Sequence, residues 1–410
     1  LLPELKEVRA LNTSELMAGF PPSVEGQVTL ANWRKAPFNK WSFTHLRELI
    51  PSAAVANDPQ DVAEFPSTPV DLGGVGFEFD GLRHDLKRFL AETQTDGMLV
   101  LREGRIVHEH YGPGMAAATP HFFASVTKSV LGLVAGILAG RGVIDVGGPV
   151  TDWVPEIAET AWAGATLRDL LDMRVGILFG EDYLATAGPI IEYRKAQGWD
   201  PFDPGEAPSD LRTWFRSLTE SDGPHGGAFH YVSPNTDLLG WVIERAAGGR
   251  YVDLVSDLLW RPMGATADAY ITVDRLGAPR AAGGMCATLR DLALVGQIVA
   301  NRGRRDGAEI VPADWIADIL EGGDPKAWDA GDFAPYFPGM EAHYRSKWYV
   351  RRGAAPMAFG VGVFGQNVFA DPENGIVIAK LSSQAPPLDE RLIALTMRGI
   401  EAIRRHLVES

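Results

Sequence analysis

The stretch HFFASVTKSVLGLVAG, His121–Gly136, decides how this chain is read. Ser125 and Lys128 stand three residues apart where a strongly apolar run begins, so on a helix their side chains share a face. The first backbone N–H groups of a helix have no partner inside it. The N–H of Ser125 is then available to an oxyanion formed when Ser125 Oγ attacks a carbonyl. The positive end of the helix and the apolar neighbours Phe122, Phe123, Val126 and Val130 disfavour an ammonium at Lys128. A lysine that loses its charge near neutral pH can take the serine proton. With 16 serines and 9 lysines in 410 residues, chance alone supplies ~0.35 Ser-x-x-Lys motifs, so context has to decide. The plain alternative is an N-cap serine with a solvated lysine one turn on. Two preceding phenylalanines and the most apolar helix of the chain, about Ser125 to Arg141 and ended by Gly142, favour the nucleophile.

Outward from this helix, GMLVLR (97–102) and RIVHEHYG (105–112) flank Glu103-Gly104 and predict a hairpin, with glycine supplying a positive φ. Before it, Leu82, Leu86, Phe89 and Leu90 fall on one face of an expected helix from Leu82 to Thr93. After it, VTDWVPEI, TLRDLLDM, DLRTWFRSL, NTDLLGWVIERAAG and YVDLVSDLLW read as helical pieces, followed by LRDLALVGQIVANRG and PADWIADIL. MAFGVGVFGQNVFA and GIVIAKLSS read as strands joined by the turn residues 371–375, and a last helix as about 388–408. Strands near both ends with a helical middle predict an α+β fold. Its antiparallel sheet is built from both termini (1–142 and 273–410) and flanked by helices, and a mostly helical domain is inserted at 143–272. The site is expected where the insertion meets the sheet.

The composition is that of an ordinary globular enzyme, 46% hydrophobic and 22% charged. A net charge of −15 argues against nucleic acid as a partner, since such proteins gather Lys and Arg on one face. One cysteine, Cys286, excludes an internal disulfide and a multi-cysteine metal site. The longest apolar run, Val130–Ala139, is about half a membrane span. The opening LLPELKEVRA carries acids early and shows no signal peptide, so the default compartment is cytoplasmic, although a chain starting at Leu leaves processing open.

A second element is GAFHYVSPNTDLLGWVIERAAG, in which Tyr231 to Asn235 form a loop leading into a helix from about Thr236. The phenol of Tyr231 could share a proton with Lys128 and pass it to a leaving group. A buried tyrosine anchoring the loop, with Asn235 as N-cap, is the alternative. Together the Ser-x-x-Lys helix, the Tyr231 loop about a hundred residues later and a late Gly-rich strand resemble class C β-lactamases, penicillin-recognising peptidases and related carboxylesterases. Within that superfamily the chain is most similar to amidases that cleave nylon oligomers. The similarity runs through residues 39–55, SVTKS, EDY (181–183), 229–248, 287–296, 362–372 and 376–383, nearly the whole chain after about Leu30.

The resemblance implies a β-lactamase/transpeptidase-like fold and an acyl-enzyme mechanism on a small amide or ester, without metal or organic cofactor. It implies Ser125 as nucleophile, Lys128 as its base, Tyr231 as the catalytic tyrosine and the Val363 N–H as second oxyanion donor. Tyr183 matches a loop tyrosine that contacts the substrate amide. Trp199, Trp348 and Tyr349 match aromatic positions, the latter two near the pocket, with core or loop aromatics as the alternative. Phe364-Gly365-Gln366 replaces Lys-Thr-Gly; phenylalanine neither donates a hydrogen bond nor pairs with a carboxylate, which argues against strong β-lactam or peptide turnover. Arg194 replaces an acidic residue that assists binding, and Ala282 a polar one. An ammonium near Arg194 would be repelled.

Other signals are weaker. Gly360–Gly365 fits a dinucleotide pattern but lies in an expected antiparallel strand, without the strand-to-helix turn that pattern requires. His108 and His110 share a strand face and lack a third ligand nearby. Glu181-Asp182 reads as a solvated loop, and no Gly-x-Ser-x-Gly elbow is present. A carboxylesterase is the main rival to an amidase. A catalytically silent binding protein on the same scaffold is the alternative from another class, and a homodimer is compatible with either.

Overall fold

The structure, a computed structural model, describes residues 13–409. The LLPELKEVRA stretch lies outside the described residues, as does Ser410. Seven antiparallel strands form the main sheet: β1 (Thr95–Arg102), β2 (Arg105–Tyr111), β3 (Ala342–Arg345), β4 (Trp348–Arg351), β5 (Met357–Gly362), β6 (Gln366–Asp371) and β7 (Ile376–Ser382), in the order β3-β4-β5-β6-β7-β1-β2. The last strand of the chain therefore pairs with the first of the hairpin, Ile378 opposite Val100. Five helices matter for the site: α1 (Thr127–Gly140), α2 (Pro189–Ala196), α3 (Ser233–Ala247), α4 (Leu289–Ala300) and α5 (Glu390–Glu409).

Both faces of this sheet are covered, which is why its central strands read as unbroken apolar runs. Along β1, Met98 and Val100 join Leu395, Ile400 and Ile403 of α5 in one core. Leu99 and Leu101 point the other way, into the core built on α1 and α4. A smaller sheet orders Ser52–Val55, Ala269–Thr272, Met285–Ala287 and His121–Phe122. From 143 to 268 the described elements are helices and single helical turns. Among the described residues no helix is long and apolar enough to cross a membrane.

Several local expectations change. Leu82–Asp85 is a strand, paired with Gly76–Phe79 through the positive-φ turn Asp80-Gly81. The helix begins only at Leu86, where the Asp85 carboxylate accepts from Arg88 N at 2.8 Å. An Asp-Gly turn and an N-cap aspartate thus override the apolar spacing. Glu103 joins Gly104 at positive φ, so both hairpin residues take the turn's conformation. VTDWVPEI forms two separate 3-10 turns, since Pro155 cannot continue a helix begun before it. MAFGVGVFGQNVFA is two strands, broken at Val363–Gly365, where Phe364 (φ 65°) and Gly365 (φ 90°) turn the chain.

The helix α1 carries Gly132, Gly136 and Gly140 at four-residue spacing, one stripe of its surface. A Cβ at Gly132 would stand 2.1 Å from the Ser346 carbonyl oxygen, and one at Gly136 2.3 Å from the Trp315 ring. Trp315 Nε1 also donates to the Gly132 carbonyl at 3.0 Å. Helix propensity alone favours Gly132→Ala by about 1 kcal/mol. The clash is expected to reverse this, destabilising by about 1–3 kcal/mol or more, read as a lower urea midpoint. An unchanged or higher midpoint would contradict the packing described.

Candidate active site

The edge strand His121–Phe122 leads into Phe123, whose N–H donates to Met285 O at 2.9 Å. Ala124 then takes φ 45°, a conformation L-residues rarely adopt, and one 3-10 turn (Ala124–Val126) precedes α1. This turn, in place of the expected helical start at Ser125, presents Ser125 at the surface of a cavity. The glycines of β5 let the strand press against it. A Cβ at Gly362 would be 2.7 Å from Phe123 O, and one at Gly360 2.8 Å from Ser129 Oγ. Val363, next along the chain, consequently lines the same cavity as Ser125.

Lys128 is buried beneath Ser125, its Nζ 2.9 Å from Ser125 Oγ and donating to Ala282 O at 2.7 Å. Burial pulls its pKa from the usual lysine range down to about 7. The Glu181 and Asp237 carboxylates oppose that shift, and the Arg280 guanidinium adds to it. Ala282, expected to face substrate, acts here through its backbone. Its side chain is fully buried, its carbonyl holds Lys128, and its N–H donates to Asp237 Oδ1 at 2.7 Å.

Tyr231 precedes α3, which starts at Ser233 with Val232 as N-cap. Asn235 lies inside that helix, its Oδ1 accepting from Trp162 Nε1 at 2.7 Å, so it caps nothing. The Tyr231 N–H donates to the Asp332 carboxylate at 3.2 Å, and its ring stacks on Phe333 at 4.5 Å. Lys128 Nζ lies over that ring, 4.9 Å from its centre. Burial, then the Glu181 charge, raise the Tyr231 pKa, while a hydrogen bond with the Ser125 hydroxyl works the other way. The phenol therefore stays protonated at neutral pH.

Two groups escaped the sequence reading. Glu181 is half-buried at the cavity wall rather than solvated: Oε2 accepts from the Tyr183 hydroxyl at 2.6 Å, and Oε1 accepts from Ser233 N. Asp237 is buried on α3 and accepts from Arg280, from the Tyr193 hydroxyl and from Ala282 N. The available signal was an acid inside the apolar run NTDLLGWVI, since a buried charge must be paired.

The cavity measures about 720 Å³, a size suited to a small molecule. Tyr183, Trp199, Val363 and Phe364 line it. Trp199 is held edge-on by Trp33 at 5.3 Å, and Trp33 Nε1 donates to Trp199 O at 3.0 Å. Phe364 packs on Phe43 at 5.2 Å, and its N–H is spent on Pro387 O at 2.8 Å. Trp348 and Tyr349, expected near the pocket, are core residues on β4. Successive strand residues face opposite sides, and both sides are covered: Trp348 enters the α1 core, while Tyr349 stacks on Phe359 at 5.4 Å.

The beta-lactamase family model matches residues 82–399. Over 381 residues, 93% of this chain and 94% of the relative, the sequence is 37% identical to the 6-aminohexanoate-dimer hydrolase of Paenarthrobacter ureafaciens. A Bacillus anthracis structure assigned as a 6-aminohexanoate-dimer hydrolase superposes with a TM-score of 0.85 at 27% identity, over 95% of this chain and 99% of that one. The hydrolase EstCE1, which has promiscuous acyltransferase activity, shares the fold alone, with a TM-score of 0.60 at 17% identity over 77% and 96% of the two chains. A match that begins before β1 and ends within α5 takes in every strand of the main sheet. By that measure the chain belongs to the beta-lactamase family, as one of its hydrolases.

Proposed function

We propose that the protein hydrolyses a small amide through an acyl-enzyme on Ser125. The observation that carries this reading is the 2.9 Å contact between Ser125 Oγ and a Lys128 amine whose pKa burial lowers to about 7, at the floor of an open cavity. In acylation, neutral Lys128 takes the hydroxyl proton as Oγ bonds to the carbonyl carbon. The N–H groups of Ser125 and Val363 receive the oxyanion. As the bond to the leaving nitrogen breaks, the Tyr231 phenol supplies that nitrogen's proton and is resupplied from Lys128. Water then attacks the ester, the same groups run the relay in reverse, and the acid leaves with Ser125 restored. Tyr183 and Trp199 wall the substrate. The sheet body (1–142 with 273–410) and the helical insertion (143–272) belong to the same proposal, since Ser125 and Val363 come from one and Tyr183 and Trp199 from the other.

Amide is preferred over ester because an amine leaves only after protonation, and a protonated phenol stands beside the nucleophile. The named Paenarthrobacter relative, by its name, also acts on an amide-linked dimer. The assignment is tested by turnover of linear amides and p-nitrophenyl esters and by fluorophosphonate labelling read by intact mass. Ser125→Ala and Lys128→Ala are each expected to cost at least about a thousandfold in kcat/KM, and labelling at Ser125 is expected in the wild type. Full activity in Ser125→Ala would overturn the reading.

Two further outcomes separate the roles. Tyr231→Phe is expected to slow amides far more than p-nitrophenyl esters, whose leaving phenolate needs no proton; equal losses would contradict a donor role. Because the ammonium of Lys128 has no lone pair, kcat/KM is expected to fall about tenfold per pH unit below the Lys128 pKa of about 7 and to level off above it. Glu181→Gln removes a charge that favours the ammonium, so the acid limb should move to lower pH. A limb that stays put, or moves up, would contradict the electrostatic assignment.

A further inference from the structure

One end of the cavity carries polar groups that the proposed acyl transfer does not use. Arg194, on α2, lines the cavity, is 7% exposed and donates through Nη2 to Tyr183 O at 2.9 Å. Among the described residues no carboxylate stands within ion-pair distance of it. Its cationic neighbours on the wall have their acids: Arg34 pairs with Asp200, Arg280 with Asp237, and Lys195 with Asp203 and Glu206. Burial, then the nearby Arg34 charge, press against the Arg194 charge, and the Asp200 and Glu181 carboxylates support it from beyond ion-pair distance. Gln197, three residues on and 1% exposed, lines the same cavity with neither its Oε1 nor its Nε2 bonded. The carboxylates of the wall do not meet this need, for Glu181 is engaged by Tyr183 and Ser233, and Asp200 by Arg34.

Buried polar groups in native proteins are nearly always satisfied. A guanidinium without its anion and an amide without partners, three residues apart on one cavity wall, mark a subsite whose missing partner is a ligand. We propose that Arg194, with the Gln197 amide packed beside it, binds a carboxylate of the substrate, so that the enzyme acts on amides or esters carrying a terminal anionic group. The proposal rests on the hydrolase reading above and names its substrate class. The planar guanidinium fork matches a carboxylate in two parallel hydrogen bonds. A neutral tail leaves the charge uncompensated, and an ammonium tail is repelled.

Two matched ester pairs test this. The p-nitrophenyl monoester of adipic acid is compared with p-nitrophenyl hexanoate, placing the carboxylate on the acyl side. The hexanoyl ester of 4-hydroxybenzoate is compared with that of 4-hydroxybenzamide, placing it on the leaving group. In at least one pair the anionic member is expected to show kcat/KM about tenfold or more above its twin. That preference should weaken with salt, collapse in Arg194→Gln and survive in part in Arg194→Lys. The wild-type ratios and their salt dependence stand even where the Gln variant does not fold. Turnover of all four esters with no anionic preference in either pair would overturn the proposal and leave the hydrolase reading intact. Turnover of none, with no turnover of linear amides either, would remove both.

Discussion

Everything about this site follows from placing an amine where water cannot reach it. Lys128 is 2% exposed, and an ammonium there would lose most of its hydration for a single carbonyl and a hydroxyl. The balance tips towards the neutral amine near pH 7. Neutral, the same nitrogen offers a lone pair to Ser125 while still donating to Ala282 O. The surrounding acids set how far the shift goes. Glu181 and Asp237 each pull the pKa back up, which keeps it near working pH.

The architecture serves that burial. The helix α1 supplies Ser125 and Lys128 from one turn, and its glycine stripe lets Ser346, Trp315 and Pro312 close over its far side. The glycines of β5 bring Val363 to the cavity from the sheet, while α3 carries Asp237, which fixes the loop at Ala282 and through it the lysine. Charge, packing and backbone conformation thus converge on a few atoms from segments far apart in sequence. The uncommon conformation of Ala124 sits in the residue before Ser125, where local strain is held by its surroundings.

Much of this could be read in the sequence, and the rest has particular physical reasons. Ser125, Lys128 and Tyr231 could be singled out from short motifs, and Lys128 Nζ stands 2.9 Å from Ser125 Oγ and 4.9 Å from the centre of the Tyr231 ring. The hairpin at Glu103-Gly104 and the apolar strands of a sheet covered on both faces were legible because pattern and structure share a period. Leu82 misled because an apolar helical spacing of four residues also fits a strand followed by a capped helix. Resemblance conserves the aromatic positions Trp348 and Tyr349 without saying which face of β4 each takes: Trp348 enters the α1 core, while the Tyr349 phenol lies close enough to those of Tyr183 and Tyr231 to interact with them. Ala282 acts through its backbone, and no side-chain reading finds that. Asp237 and Glu181 owe their roles to partners 45 and 52 residues away, a distance over which sequence carries no periodic signal.

Whether Lys128 can act as a base is decided by titrating it, by NMR of the protein labelled at lysine ε-carbon and nitrogen. The buried Lys347 and Lys380 also have lowered pKa values, so the Lys128 resonance is identified by its loss in Lys128→Met. That signal is expected to titrate near 7. A Lys128 signal that keeps its charge up to pH 10 would mean that the amine beside Ser125 is no base, and the mechanism built on it would fail.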